Sequence, residues 1–375
     1  MKQPCFAFLL FLFCYVSSFA QKQPQLPSWA LGPFLRPQPA QPVITPDRQR
    51  LFADPMSGRN VPWMQNAAFN PAAIVKDGKI RVLFRAEDYS GIDKIGAHTS
   101  RIGLAETTDG ITMKIRSTPV LYPGKDDQQE YDWPGGCEDP RVAVTKEGLY
   151  VMFYTSWNHK KPRLSVATSK DLVHWVKHGP AFKTAWDGRF KDMASKSASI
   201  VTQLVNNKLV ITKINGKYLM YWGEYFVNPA VSEDLVNWTP LLDDKNELLK
   251  LITPRRGYFD SDLTECGPPA LLTKDGIVLL YNGKNAAGAK GDTSYPANSY
   301  CAGQVLFDKK EPSKVIDRLD QPFLYPTEAF ERSGQYKAGT VFLEGLVFYK
   351  AKWFLYYGCA DSRVGVAVFD PENGK

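Results

Sequence analysis

Residues Ala72–Phe84 read AAIVKDGKIRVLF: an apolar run, a Lys-Asp-Gly tip, then a second apolar run ending in an aromatic. Asp-Gly between two apolar runs is a hairpin signal, because a tight turn there needs positive φ at its central residues. The pattern returns as VAVTKEGLYVMF (Val142–Phe153), LVITKINGKYLMYW (Leu209–Trp222), ALLTKDGIVLLY (Ala270–Tyr281) and LVFYKAKWFLYY (Leu346–Tyr357). The closing aromatics Phe84, Phe153, Trp222, Tyr281 and Tyr357 are 69, 69, 59 and 76 residues apart. A strand of small residues follows most of them, as in IGLAETTD from Ile102, LSVATSKDLVHW from Leu164, PAVSEDLVNW from Pro229 and VGVAVF from Val364. Several of these strands run into a Ser-x-Asp-Leu-like turn.

Five units of about four short strands, with little helical periodicity, predict an all-β chain and a five-bladed β-propeller. Two tandem β-sandwiches are the rival architecture, but no linker-like stretch divides the middle of the chain. Working outward, residues 21–50 carry seven prolines and read as an extended lead-in. The last unit is short, so this segment is expected to complete a blade. Residues 51–375 are expected to form a single propeller domain. At the start, Lys2, the apolar run Phe6–Val16 and Ser17-Ser18-Phe19-Ala20 have the form of a secretory signal peptide ending at residue 20. That run is shorter than the roughly 20 residues a membrane span needs. The expectation is therefore an exported protein, periplasmic or secreted, with no membrane span.

Composition narrows the function. The chain of 375 residues is 44% hydrophobic and 13% aromatic, which excludes disorder. Its four His argue against a His-rich metal cluster, and its charge of +7 is scattered, which disfavours a nucleic-acid partner. No motif calls for a metal or an organic cofactor, and none bears on oligomeric state. After export Cys137, Cys266, Cys301 and Cys359 would remain; they form no CxxC pair and are expected to be buried thiols.

In a propeller the innermost strands start around one central channel. Counting back from the closing aromatics, Asn70 and Asp139 lie 14 residues before theirs, Glu265 lies 16 before and Glu344 lies 13 before. The third unit departs from this register, with Lys196-Ser197 near the equivalent place. The strand ends add Arg85, Asp88, Glu224 and Asp361. A carboxylate-lined pocket among aromatics suits a sugar: carboxylates and amides bind hydroxyls, and ring faces lie on Trp and Tyr. Trp63, Tyr131, Trp133, Trp157 and Tyr225 are candidate platforms. Trp175 and Trp238 belong to the blade motifs and are expected in the core. His159, His174 and His178 are expected at the surface, while His98 lies in a Gly-rich loop within possible reach of the site. Two opposed carboxyls also suit glycoside cleavage, one protonating the leaving oxygen and the other activating water.

The stretch GGCEDPR (Gly135–Arg141), with Asn70-Pro-Ala72, FRAED (Phe84–Asp88) and YGCADSRVGVA (Tyr357–Ala367), resembles glycoside hydrolase family 130. The similarity runs from about Asn60 to Phe369. It implies a five-bladed propeller acting on β-mannosides, by phosphorolysis in most members and by hydrolysis of β-1,2 linkages in a smaller group. It also implies that Asp139 is the proton donor, acting through a sugar hydroxyl. Arg85, Asp88 and Asp361 match positions binding the mannose at the cleavage point, with Asn70 and Arg141 on the same wall.

The nucleophile side decides the reaction. Phosphorylases gather cations there, since a phosphate dianion needs them. This chain has Trp222-Gly-Glu224-Tyr225 and Leu263-Thr-Glu265-Cys266 instead. Two glutamates repel phosphate and can deprotonate water. The expectation is an exported, inverting β-mannoside hydrolase taking β-1,2-linked manno-oligosaccharides and releasing mannose, with Glu224 and Glu265 both candidates for the base. Lys196 keeps a β-mannoside phosphorylase releasing mannose 1-phosphate as the alternative, and a non-catalytic sugar-binding propeller is the reading from another class.

Overall fold

The computed structural model describes residues 25–372. The expected signal peptide, with Cys5 and Cys14, lies outside the described residues. The fold is all-β; among the described residues helix is confined to Gln129–Asp132 and two short 3-10 turns.

The strands form successive antiparallel meanders. The first runs through Ala67–Lys76, Lys79–Glu87, Ser100–Thr107 and Lys114–Ile115. The second takes Gly136–Val144, Tyr150–Trp157, Pro162–Ser169 and Val176–Pro180. The third is built on Ala198–Val205, Lys217–Trp222, Asn228–Ser232 and Thr239–Pro240. In the fourth, Leu263–Cys266 and Ala270–Leu272 both pair with Ile277–Lys284, followed by Tyr300–Phe307 and Val315–Arg318. The fifth contains Phe342–Tyr349, Lys352–Cys359 and Arg363–Phe369.

The hairpin tips follow from local chemistry. Lys76 pairs with Lys79 across Asp77 and Gly78, at φ 51° and 68°, and Ile214 pairs with Lys217 across Asn215 and Gly216, at φ 50° and 83°. Two central residues at positive φ match the twist of the flanking strands. The third hairpin differs from its sequence reading. Leu209–Ile211 does not lead the meander: it folds back on Ala198–Val205 through Asn206 and Asn207, and Ala198–Val205 itself pairs with Lys217–Trp222. The two Asn accept positive φ and supply a turn where none was read.

The closing aromatics explain the small-residue strands. Phe84 faces Gly103, Tyr281 faces Gly303 and Tyr357 faces Gly365 across neighbouring strands. Each ring lies so close that a Cβ on the glycine would stand 2.4, 2.4 or 2.6 Å from it. The five aromatics are buried, and truncating one to Ala would cost about 3–5 kcal/mol.

Apolar clusters lie between meanders rather than at one centre. One joins the first and second through Ala72, Leu83, Met152 and Tyr154. Others join second to third (Phe153, Trp238, Trp222) and third to fourth (Tyr221, Phe259, Tyr281). A further cluster joins fourth to fifth (Leu280, Leu343, Trp353), and another closes the circuit between fifth and first (Tyr356, Val347, Phe84). The N-terminal segment edges the fifth meander: Leu35 bridges to Val368 and Ile44 to Val364, while Phe34 is buried against Phe323 and Phe369. Cys137, Cys266, Cys301 and Cys359 are buried free thiols.

Candidate active site

The inner strands bring one point of each of the first four meanders to a common place. Pro71 faces Phe84, Ala198 faces Trp222 and Cys266 faces Tyr281, so Asn70, Ser197 and Glu265 each sit one residue before the position opposite the closing aromatic. Asp139 lies in the register shift between Glu138 and Arg141, the latter opposite Phe153. Asn70, Asp139 and Ser197 share left-handed backbone, at φ 47°, 50° and 56°. Such corners are uncommon outside glycine and turn the chain sharply. The corners at Asn70 and Asp139 swing their side chains into one cavity of about 380 Å3, and the Ser197 corner lies behind Glu265 of its lining.

That cavity is acidic. Its lining, among the described residues, contains Glu87, Glu138, Asp139, Glu224, Glu265 and Asp361, against Arg85 and Lys196. Arg85 stacks over Phe69 at 4.7 Å and gathers three carboxylates: Glu87 at 2.6 Å, Glu138 at 2.8 Å and Asp139 at 3.1 Å. Asn70 donates its amide to Asp139 Oδ1 at 2.9 Å. Across the cavity the Lys196 ammonium stands 4.0 Å from Asp139 Oδ2, 3.7 Å from Glu224 Oε1 and 3.9 Å from Glu265 Oε1. Ser197 donates its hydroxyl to Glu265 Oε1 at 2.5 Å. Gly223 fixes the neighbouring corner: at φ 126° a Cβ there would meet the Phe226 carbonyl at 2.2 Å, and Glu224 follows it.

Burial and charge move the protons. Burial pushes Glu265 up to about 7, and the Lys196 charge only partly offsets it. Burial likewise pushes Asp361 up to about 6. For Asp139, burial is outweighed by the charges of Arg85, Lys196 and Arg141, and the carboxyl is held down at about 2. Its neighbour Glu138 is pushed up by burial to about 7. These two share one guanidinium and titrate as a pair. Burial works against the Lys196 charge, yet the surrounding carboxylates raise its pKa overall.

Of the residues expected at the site, Asn70, Arg85, Asp139, Lys196, Glu224, Glu265 and Asp361 come together in this lining. Four do not. Asp88 turns away: its carboxylate pairs with Arg101 at 2.7 Å and accepts from Ser90, and Glu87 lines the cavity in its stead. Successive strand residues point to opposite faces, so a one-residue difference reverses the outcome. Arg141 and Glu344 pair with each other at 3.1 Å, both fully buried outside the lining. Arg141 also donates to the carbonyls of Asp139 and Cys266, both at 3.0 Å, so it braces the backbone rather than walling the cavity. Tyr225 is 54% exposed and outside the lining; its backbone carbonyl accepts from Thr264.

The aromatics divide similarly. Trp157 lines the cavity, its indole N–H donating to the Gly96 carbonyl at 2.8 Å. Trp63 is core, stacked on Phe84 and bonded to the Ser117 carbonyl. Tyr131 packs under Arg163 at 5.2 Å, and neither it nor Trp133 lines the cavity. His98 is buried, its Nδ1 2.7 Å from the Ser90 carbonyl, and stays out of the lining. Tyr300, Tyr336, Phe342, Phe69 and Gln335 line the cavity without having been expected there. Gln335 Nε2 donates to Glu87 Oε2 at 3.0 Å and to the Asp361 carbonyl at 2.8 Å, tying the first meander to the fifth. It lies in an irregular connection outside the repeat, where spacing carries no signal. Glu138 had one signal, its place beside Asp139 on a bulged strand.

The model of the glycoside hydrolase 130 family, described as beta-1,4-mannooligosaccharide phosphorylase, matches residues 36–373. A 1,2-beta-oligomannan phosphorylase of Thermoanaerobacter sp. (strain X514) is 33% identical over 317 residues, covering 84% of this chain and 93% of that protein. A glycosyl hydrolase structure from Bacteroides ovatus superposes with a TM-score of 0.92 at 56% identity, over 94% of this chain and 98% of the other. Another structure, at 58% identity and a TM-score of 0.92 over 94% and 98% of the two chains, is described thus: the GH130 family of mannoside phosphorylases contains glycoside hydrolases that target beta-1,2 mannosidic linkages in Candida mannan.

Proposed function

The chain belongs to glycoside hydrolase family 130, and from that premise we propose that it hydrolyses β-mannosides, chiefly β-1,2-linked manno-oligosaccharides, with inversion. The observation that carries this reading is the charge of the cavity: six carboxylates face two cations. A phosphate dianion requires cationic partners. Lys196 already has Asp139, Glu224 and Glu265 within 4.0 Å, and Arg85 already holds three carboxylates. A neutral sugar and a water molecule suit such a cavity better than an anion does.

In this reading Arg85, Asp361 and Gln335 hold hydroxyls of the mannose, and Trp157, Tyr300 and Tyr336 offer ring faces. The Glu138–Asp139 pair carries one proton below neutrality, stored on Glu138 in the free cavity. Glu138 hands this proton to Asp139 once the sugar is bound, and Asp139 passes it through a sugar hydroxyl to the leaving oxygen as the bond from C1 to that oxygen breaks. A water oxygen bonds to C1 from the opposite face and gives its proton to Glu224 or Glu265. The 58% identical structure supports hydrolysis by its description. Phosphorolysis is the rival, favoured by Lys196 and by the name of the 33% identical relative.

Incubating β-1,2-mannobiose with and without phosphate separates the two. Hydrolysis yields mannose at the same rate in both, with the released anomer inverted by NMR; mannose 1-phosphate as main product would overturn it. We further propose that the five meanders and their five intervening clusters are the blades of one propeller over residues 51–375, edged by the lead-in 21–50. Export by residues 1–20 is part of the same proposal, since a hydrolase has no need to retain a sugar phosphate. Mass spectrometry of the protein recovered from the periplasm or medium tests cleavage after Ala20.

A further inference from the structure

Asn70 and Ser197 occupy the same corner of the first and third meanders, and each donates a hydrogen bond to a carboxylate of the next meander. Asn70 bonds to Asp139 and Ser197 to Glu265. Both corners are left-handed, a conformation that is strained for a Ser and persists where surrounding structure holds it. The Ser197 corner is held by Gly223, whose backbone N–H donates to the Ser197 carbonyl at 2.9 Å, while the Gly223 carbonyl accepts from Cys266 N–H at 3.2 Å. Ser197, Glu224 and Glu265 are therefore set by one backbone knot.

Within that knot the two glutamates are unequal. Glu265 is 1% exposed, and its Oε1 takes the Ser197 hydroxyl. No protein hydrogen bond reaches its Oε2 among the described residues. The Glu224 side chain is 29% exposed and, among the described residues, has only the Lys196 ammonium at 3.7 Å. We propose that Ser197 is a positioning residue that makes Glu265, not Glu224, the water-activating base, by occupying Oε1 and leaving Oε2 for the water. This rests on the hydrolytic reading above.

The Ser197 hydroxyl favours the ionised carboxylate, in the same direction as Lys196 and Arg141; burial and the Glu224 charge oppose it. Glu344, Tyr300 and Cys266 also face Glu265 electrostatically. A base works ionised, so removing the donor moves the acidic limb of the rate profile to higher pH.

The test is the pH dependence of kcat/KM for β-1,2-mannobiose in wild type, Ser197→Gly, Ser197→Asn and Glu265→Gln. Glycine suits the left-handed corner, so folding is preserved while the donor is lost. Asn also tolerates positive φ and carries a donor. The expected result for Ser197→Gly is kcat down about tenfold or more, the scale of one hydrogen bond to a charged group. KM should change little, and the acidic limb should move up by about half a pH unit or more. Ser197→Asn should bring the limb back. In the Glu265→Gln background Ser197→Gly should add nothing. Free mannose from wild type with an unmoved limb in Ser197→Gly overturns the positioning role and leaves hydrolysis standing. So does a uniform loss of rate without a limb shift, the mark of a merely structural role. Mannose 1-phosphate from wild type overturns the hydrolytic reading, and the Ser197 assignment with it.

Discussion

Asp171 and Glu265 are both acidic residues beside a strand end, and their surroundings drive their protons in opposite directions. Asp171 sits in the Ser-x-Asp-Leu turn at the surface. Its Oδ1 accepts the backbone N–H groups of Val173 and His174 at 2.8 Å, and its Oδ2 lies 2.7 Å from His174 Nδ1. The His174 side chain and these N–H groups hold the carboxyl well below its ordinary range. The Ser232–Trp238 turn repeats the bonds through Asp234. Among the described residues Glu265 has a single hydroxyl donor, and burial pushes it up to about 7. A carboxylate given backbone donors becomes a permanent anion that ties a turn. One denied them stays near neutrality, where proton transfer is useful.

The largest effect that sharpens this contrast is at the acid. Asp139→Asn should lower kcat by about 10³-fold, within the range of general acid catalysis, with the thermal transition little changed. Near-normal turnover would remove Asp139 from that role. Next comes Glu265→Gln, expected to cost about 10²–10³-fold, and clearly more than Glu224→Gln.

Glu265→Gln should also stabilise the fold at high pH. The folded protein keeps the Glu265 proton to about 7, whereas the unfolded chain releases it near 4.5. The folded state therefore binds more protons across that window, and stability falls as pH rises through it. Removing the charge should raise Tm at pH 8 by about 2 °C or more, and the gain should vanish below the unfolded value. A Tm gain of equal size at pH 4 would break the argument.

The smallest effect is at the turn. Asp171→Asn should leave kcat/KM unchanged and lower Tm by about 1–3 °C at pH 7. The sign is opposite: a depressed carboxyl stabilises above its unfolded value of 3.8, and that contribution is lost as pH falls through the folded value. Loss of activity in Asp171→Asn would mean that the rim and the cavity are coupled.

Much of the site was legible because it repeats. Asn70, Asp139 and Glu265 could be located by counting from the closing aromatics, since three inner strands enter the cavity at nearly the same count, 14, 14 and 16 residues before them. Lys196-Ser197 could be located only approximately, because Lys208–Ile211 folds back and lengthens that unit. Asp88 was misplaced because strand parity at Glu87 is not settled by pattern when both residues are acidic. Arg141 and Glu344 were read as cavity wall, yet both are buried outside it, 3.1 Å from each other. Trp63 illustrates the same limit: whether an indole meets sugar or core depends on its neighbours, here Phe84 and the Ser117 carbonyl.

Sequence alone determined the all-β character and the hairpin tips, because turn chemistry and alternating apolar runs act over a few residues and recur; the family was legible only through the motifs at Gly135–Arg141 and Tyr357–Ala367 that resemble it. It also brought the acidic residues to the entrances of the repeats. Only the tertiary structure decided which carboxylates share a cation, which are satisfied and which stay protonated. Those properties depend on distances between residues about 70 positions apart and on exclusion from water. Asp139 against Glu138, and Glu265 against Glu224, differ little as letters. Arg85, Lys196 and Ser197 make them chemically distinct, and folding alone brings those partners within reach.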